Sequence, residues 1–220
     1  MANKTDQKDN YRQPGDATNG SSIGKKQRTS EPVIDSSFPI VGIGASAGGL
    51  DALKSFFSNT SLGMGIGYVV VVHLSPKQNS ILPELLQKVT ELPVKAAADG
   101  EQILPDHVYV VSPNKEISVS GGLLLVRDLE QTSKDRLPID YFFRSLAKDQ
   151  GRNAFSVILS GTGTDGTLGM REVKNEGGLT IVQTEESAKY CGMPHSAIMT
   201  GLADLVLPPD IGLRRDRTGR

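Results

Sequence analysis

The segment Ile40-Val41-Gly42-Ile43-Gly44-Ala45-Ser46-Ala47-Gly48-Gly49 leads directly into Leu50-Asp51-Ala52-Leu53. An apolar strand pattern gives way to a helical one, and a serine stands between glycines at the junction. A sharp strand-to-helix turn needs small residues, because the backbone reverses while the hydroxyl is held over the strand end, where following N–H groups can face a developing oxyanion. Gly44, Gly48 and Gly49 meet that need, so Ser46 reads as a nucleophile. The motif alone is weak, since a glycine-rich first turn can equally cradle a phosphate.

Two further segments strengthen the catalytic reading. Tyr68-Val69-Val70-Val71-Val72 is an apolar run ending in His73, and Ser156-Val157-Ile158-Leu159-Ser160 runs into Gly161-Thr162-Gly163-Thr164-Asp165-Gly166. In an open parallel α/β sheet the carboxyl ends of the strands share one edge, where ligands bind. Ser46, His73 and Asp165 can therefore converge as nucleophile, general base and imidazole-orienting carboxylate. A rival triad uses His195, in Gly192-Met193-Pro194-His195, but a proline in a first helical turn explains that segment structurally. His107, at the start of a strand, reads as structural.

From Phe38 onward the chain alternates: strand 39–44, helix 49–58, strand 67–73, helix 79–89, short strand 93–98. Closely spaced strands at 107–111, 116–120 and 123–127 follow, the last two joined through Gly121-Gly122 as a hairpin. Alternation then resumes with helix 138–149, strand 154–160, helix 167–176, strand 179–183, helix 194–200 and strand 204–207. This order predicts an α/β fold: a doubly wound, mostly parallel sheet with helices on both faces and an inserted β-hairpin.

Composition excludes several classes. The 220 residues suit one domain, and 24 Lys and Arg against 25 Asp and Glu leave a formal charge of −1, which offers no reason to expect nucleic acid or an anionic membrane. The single cysteine, Cys191, excludes an internal disulfide and a cysteine-based metal cluster. No apolar run is long enough for membrane insertion and no signal-peptide core is present, so a cytoplasmic location is expected. Residues 1–36 are polar and read as a disordered tail, 37–209 as the folded domain, and 210–220 as a flexible basic tail. The basic runs Lys25-Lys26-Gln27-Arg28 and Arg214-Arg215-Asp216-Arg217 read as solvated charge.

Taken in order, Gly42 to Gly49, the strand ending in His73, Gly100-Glu101 with Val108-Tyr109-Val110 beyond, Gly161 to Gly166, and Gly192-Met193-Pro194 resemble the catalytic domain of CheB-type protein-glutamate methylesterases. The resemblance spans about residues 38–209 and implies that Ser46, His73 and Asp165 form the triad. It implies hydrolysis of γ-glutamyl methyl esters on chemoreceptors with release of methanol, in chemosensory adaptation, and in some relatives deamidation of glutamine. It implies no metal and no organic cofactor. The backbone N–H groups of Ala47 and Thr162 are the candidates for the oxyanion hole.

Two departures from the family pattern stand out. The tail before the first strand is too short for a receiver domain, and Ala47 and Thr162 stand where the family often has Thr and Met. Together with the segment Arg136-Leu137-Pro138-Ile139-Asp140-Tyr141-Phe142-Phe143-Arg144-Ser145-Leu146-Ala147, the receiver-less form resembles the methylesterase domains of methylesterase–methyltransferase hybrids. That implies a CheR-type methyltransferase partner in cis or in trans. A catalytically idle binding domain of a sensory protein is the alternative. A nucleotide-binding fold is disfavoured, because Ala47 falls on the third glycine position and no acid follows at the expected distance.

Overall fold

The computed structural model describes residues 38–73, 81–129 and 137–214. The expected tail at 1–36, the first residues of the helix expected at 79–89, and residues 215–220 lie outside them. Ten strands are assigned among the described residues: β1 (Ile40–Ala45), β2 (Gly67–Val72), β3 (Val94–Ala96), β4 (Glu101–Gln102), β5 (Val108–Val110), β6 (Lys115–Ser120), β7 (Leu123–Asp128), β8 (Ala154–Ile158), β9 (Leu179–Gln183) and β10 (Leu205–Leu207). The helices are α1 (Gly49–Ser58), α2 (Leu82–Gln87), α3 (Pro138–Gln150), α4 (Thr167–Asn175) and α5 (Gly192–Ile198).

Seven strands form one sheet in the order β10-β9-β8-β1-β2-β5-β3, and every pair is parallel. The chain winds outward from β1 in both directions, so the topological switch point lies where β1 meets β8. In such a sheet the crevice beyond the strand ends at that point is the natural ligand site. The expected hairpin is β6–β7, antiparallel, and β4 adds a third strand to it. Two residues are too few to show a periodicity, which is why β4 had no sequence signal.

Both faces of the sheet are covered, and the strands divide their side chains between them as a two-residue period requires. Val41, Ile43, Tyr68 and Val70 pack with Leu53, Phe56 and Phe57 of α1 and with Leu82 and Leu86 of α2. Ile40, Val69 and Val71 pack with Phe142, Phe143 and Leu146 of α3, Met170 of α4 and Met193 of α5. The antiparallel sheet joins this second core through Ile117, Val119 and Leu124.

Two glycines of β1 bring α3 close. A Cβ on Gly42 would lie 2.8 Å from Phe142 Cε1, and one on Gly44 would lie 2.4 Å from Ile139 Cγ2. Gly44, expected to serve the turn, instead makes room for the first turn of α3. At the other end of the chain, residues 210–214 of the expected basic tail are seated on the end of α1. Ser61 N–H donates to the Leu213 carbonyl at 3.0 Å, and Arg214 Nε donates to the Asn59 carbonyl at 2.9 Å.

Candidate active site

Ser46 directly follows β1, at the switch point, and is 9% exposed. Its N–H donates to the Ser160 carbonyl beyond β8 at 3.0 Å, and its own carbonyl accepts the Gly49 N–H at 2.8 Å, which opens α1. Gly48 makes the reversal possible. Its φ of 73° is left-handed, and a Cβ there would lie 2.7 Å from Ser160 Oγ.

Ser160 is the residue that the sequence reading left without a role. Its hydroxyl is fully buried, lies 2.9 Å from the Ala47 carbonyl, and accepts the Tyr190 N–H at 3.0 Å. Its N–H donates to Gln183 Oε1 at 2.8 Å. One small side chain thus ties together the nucleophile turn, the glycine-rich loop and the segment before α5.

That loop is packed tightly against both the serine and α5. A Cβ on Gly161 would meet Met193 Sδ at 2.1 Å and Ser46 Cβ at 3.0 Å, and one on Gly192 would lie 2.9 Å from Gly163 N. The Gly161 carbonyl accepts the Met193 N–H at 2.9 Å, and its N–H donates to the Tyr190 carbonyl at 3.0 Å. Gly192-Met193-Pro194 is therefore the wall that holds residues 161–163 in place. The N–H groups of Ala47 and Thr162 have no acceptor among the described residues.

The three candidate triad residues are brought to one edge but not into a closed chain of hydrogen bonds. Ser46 Oγ donates to the main-chain carbonyl of His73 at 3.2 Å, and His73 N–H donates to the Ala45 carbonyl at 3.0 Å. The imidazole of His73 is exposed and, among the described residues, bonds neither Ser46 nor Asp165. Asp165 is 8% exposed, and its two oxygens accept the N–H groups of Ile139 at 3.1 Å and Asp140 at 2.9 Å. Burial pushes its carboxyl above the usual aspartate range, the two N–H groups partly offset this, and the nearby Asp140 carboxylate adds to the rise.

The other histidines are occupied elsewhere. His195 Nδ1 lies 3.0 Å from Glu185 Oε1 in an exposed pair. His107 Nδ1 meets the Pro105 carbonyl at 2.9 Å, and its ring stacks on Tyr109. A cavity of about 340 Å³ opens beside the turn, lined in part by Gly48, Asp51, Ser160, Gln183 and Lys189. A larger one of about 1240 Å³ lies at the opposite end of α1, around Asn59–Leu62 and Lys88–Glu91, away from the serine.

The family model for CheB methylesterase matches residues 41–211, enclosing Ser46, His73 and Asp165. The chain belongs to the CheB methylesterase family. A CheB methylesterase catalytic domain from Thermotoga maritima is similar in structure, with a TM-score of 0.73 and 32% identity, covering 79% of this chain and 94% of that one. A protein-glutamate methylesterase/protein-glutamine glutaminase from Bdellovibrio bacteriovorus is 38% identical over 176 residues, 78% of this chain and 49% of that protein. Another from Salmonella typhimurium is 36% identical over 176 residues, 78% of this chain and 50% of that protein. The chain thus spans about half the length of the relatives it matches. Among the described residues no helix is long and apolar enough to cross a membrane.

Proposed function

We propose that this CheB-family domain is a serine hydrolase that removes methyl esters from glutamate side chains of chemoreceptor-like proteins, releasing methanol. The observation that carries the reading is the placement of Ser46 at the β1–β8 switch point, with its hydroxyl 3.2 Å from the His73 main chain and with the N–H groups of Ala47 and Thr162 without an acceptor among the described residues.

In this mechanism the His73 ring rotates onto Ser46 and takes its proton as the oxygen attacks the ester carbonyl. The oxyanion is received by the N–H groups of Ala47 and Thr162. Collapse expels methanol with the proton carried by His73, leaving an acyl-Ser46 that water, deprotonated by His73, hydrolyses to glutamate. Each oxygen of the Asp165 carboxylate keeps a lone pair beyond those used by α3, so it can still accept the imidazole N–H. The same acyl chemistry with ammonia as leaving group would deamidate glutamine. A methyltransferase of the CheR type, in cis or in trans, would supply the ester.

Methanol release from a methylated receptor fragment tests this, comparing wild type with Ser46→Ala, His73→Ala and His195→Ala at matched circular dichroism. Loss with the first two and retention with the third is expected. Activity that survives Ser46→Ala, or that depends on His195 in place of His73, would overturn the assignment. An inactive wild type whose serine also fails to react with a fluorophosphonate would favour an idle binding domain.

A further inference from the structure

Neither helix whose amino end faces the site caps itself. Residue Leu137 precedes α3 and Gly166 precedes α4, and neither makes a side-chain cap. The first intrahelical bonds run from Tyr141 N–H to the Leu137 carbonyl and from Met170 N–H to the Gly166 carbonyl. The N–H groups of Ile139, Asp140 and Gly169 therefore have no acceptor within their own helices. Pro138, at the first position of α3, has no N–H to satisfy.

Each helix supplies the missing cap of the other. Asp165, just before α4, accepts the Ile139 and Asp140 N–H groups of α3. Asp140, in the first turn of α3, accepts the Gly169 N–H of α4 through Oδ1 at 2.6 Å. Close packing permits this exchange, because a Cβ on Gly169 would lie 2.8 Å from the Asp140 carbonyl and 2.6 Å from Phe143 Cβ. Asp140 is 2% exposed, and its second oxygen, Oδ2, has no hydrogen-bond partner among the described residues. Such a group is costly to retain for packing alone.

From this reciprocal capping we infer that Asp140 is a positioning residue for Asp165, locking the amino end of α4 to that of α3 so that the Asp165 carboxylate is held in one orientation toward His73. The inference rests on the triad reading above. Removing the Asp140 acceptor frees Gly169 and with it the segment that carries Asp165, and a displacement of about 1 Å in such a constellation costs on the order of a hundredfold in rate.

The test compares Asp140→Ala, which removes the acceptor, with Asp140→Asn, whose Oδ1 still accepts the Gly169 N–H. The readouts are kcat and KM for methanol release and the rate of fluorophosphonate labelling, which reports Ser46 activation whatever the acyl substrate. Expected is a kcat and labelling rate about tenfold to a hundredfold lower in Asp140→Ala at unchanged KM, with Asp140→Asn within about threefold of wild type. An Asp140→Ala chain with wild-type kcat and labelling overturns the inference, as does an Asp140→Asn chain as slow as Asp140→Ala. Failure of the methylesterase reading itself shows separately, as a wild type that labels but releases no methanol.

Amide hydrogen exchange on the wild-type chain needs no variant. First-turn amides exchange readily unless capped, so slow exchange at Ile139, Asp140 and Gly169 with a common opening free energy is expected. Rapid exchange at Gly169 would overturn the clamp even if Asp140→Ala cannot be folded.

Discussion

Ser160 Oγ stands 2.9 Å from the carbonyl oxygen of Ala47, 113 residues away in sequence, and Ser160 Oγ also receives the Tyr190 N–H. The nucleophile turn is thus anchored from below by a side chain on a neighbouring strand end. In Ser160→Ala both backbone groups lose their partner, and an unsatisfied buried group costs about 1–3 kcal/mol. The expected outcome is a lower Tm together with a kcat for methanol release reduced by about tenfold or more, since the candidate donor Ala47 belongs to the loosened turn. An unchanged kcat at lowered Tm would separate the anchor from catalysis.

Gly161 has no room for a side chain. Its Cβ position is blocked by the buried Met193 and by Ser46 itself. Gly161→Ala is expected to lose about 1–3 kcal/mol by overpacking and to lower kcat by displacing Ser46 or Thr162. Denaturant unfolding and methanol release on the same preparation check this, and a variant of wild-type stability would contradict the packing.

His195 and Glu185 form an exposed pair, and such pairs add little to stability. His195→Ala is expected to keep kcat within about threefold and Tm within about 2 °C of wild type. A loss comparable to that of His73→Ala would move the general base to α5.

The two buried aspartates set a pH dependence of stability. Burial raises the Asp140 carboxyl above its ordinary range, with the Gly169 N–H and the Arg144 guanidinium partly offsetting it, and burial likewise raises Asp165. A carboxyl with a raised folded-state pKa contributes stability below its unfolded value, near pH 4, that is lost as pH rises through the folded value. The stability of wild type relative to Asp140→Asn should therefore shrink as pH rises from about 4 toward neutrality. Thermal melts of both chains across that range measure it, and a widening difference would reverse the sign.

Asp204 should behave in the opposite sense. Burial works to raise it, but the Lys174 ammonium and the N–H and hydroxyl of Thr180 outweigh this and hold it low. Asp204→Asn is expected to be most destabilising near neutral pH and to converge on wild type as pH falls below about 4. A destabilisation that does not change over that range would remove the charge from the argument.

The sequence by itself determined the order of the helices and of every assigned strand except β4, because a two-residue alternation and a helical repeat are local patterns that each segment carries alone. It also determined the turn at Ser46 and the placing of His73 at the end of β2, since an apolar run that stops at a polar residue marks the edge of a parallel sheet, whereas Asp165 stands well beyond the end of β8, just before α4. Tertiary structure decided the rest. That Gly44 accommodates Ile139, that Ser160 supports Ala47, and that Asp140 and Asp165 cap each other's helices are relations between residues 25 or more positions apart. A close approach or a shared hydrogen bond leaves no periodicity in the chain; it exists only once the sheet has brought β1 beside β8 and α3 over both.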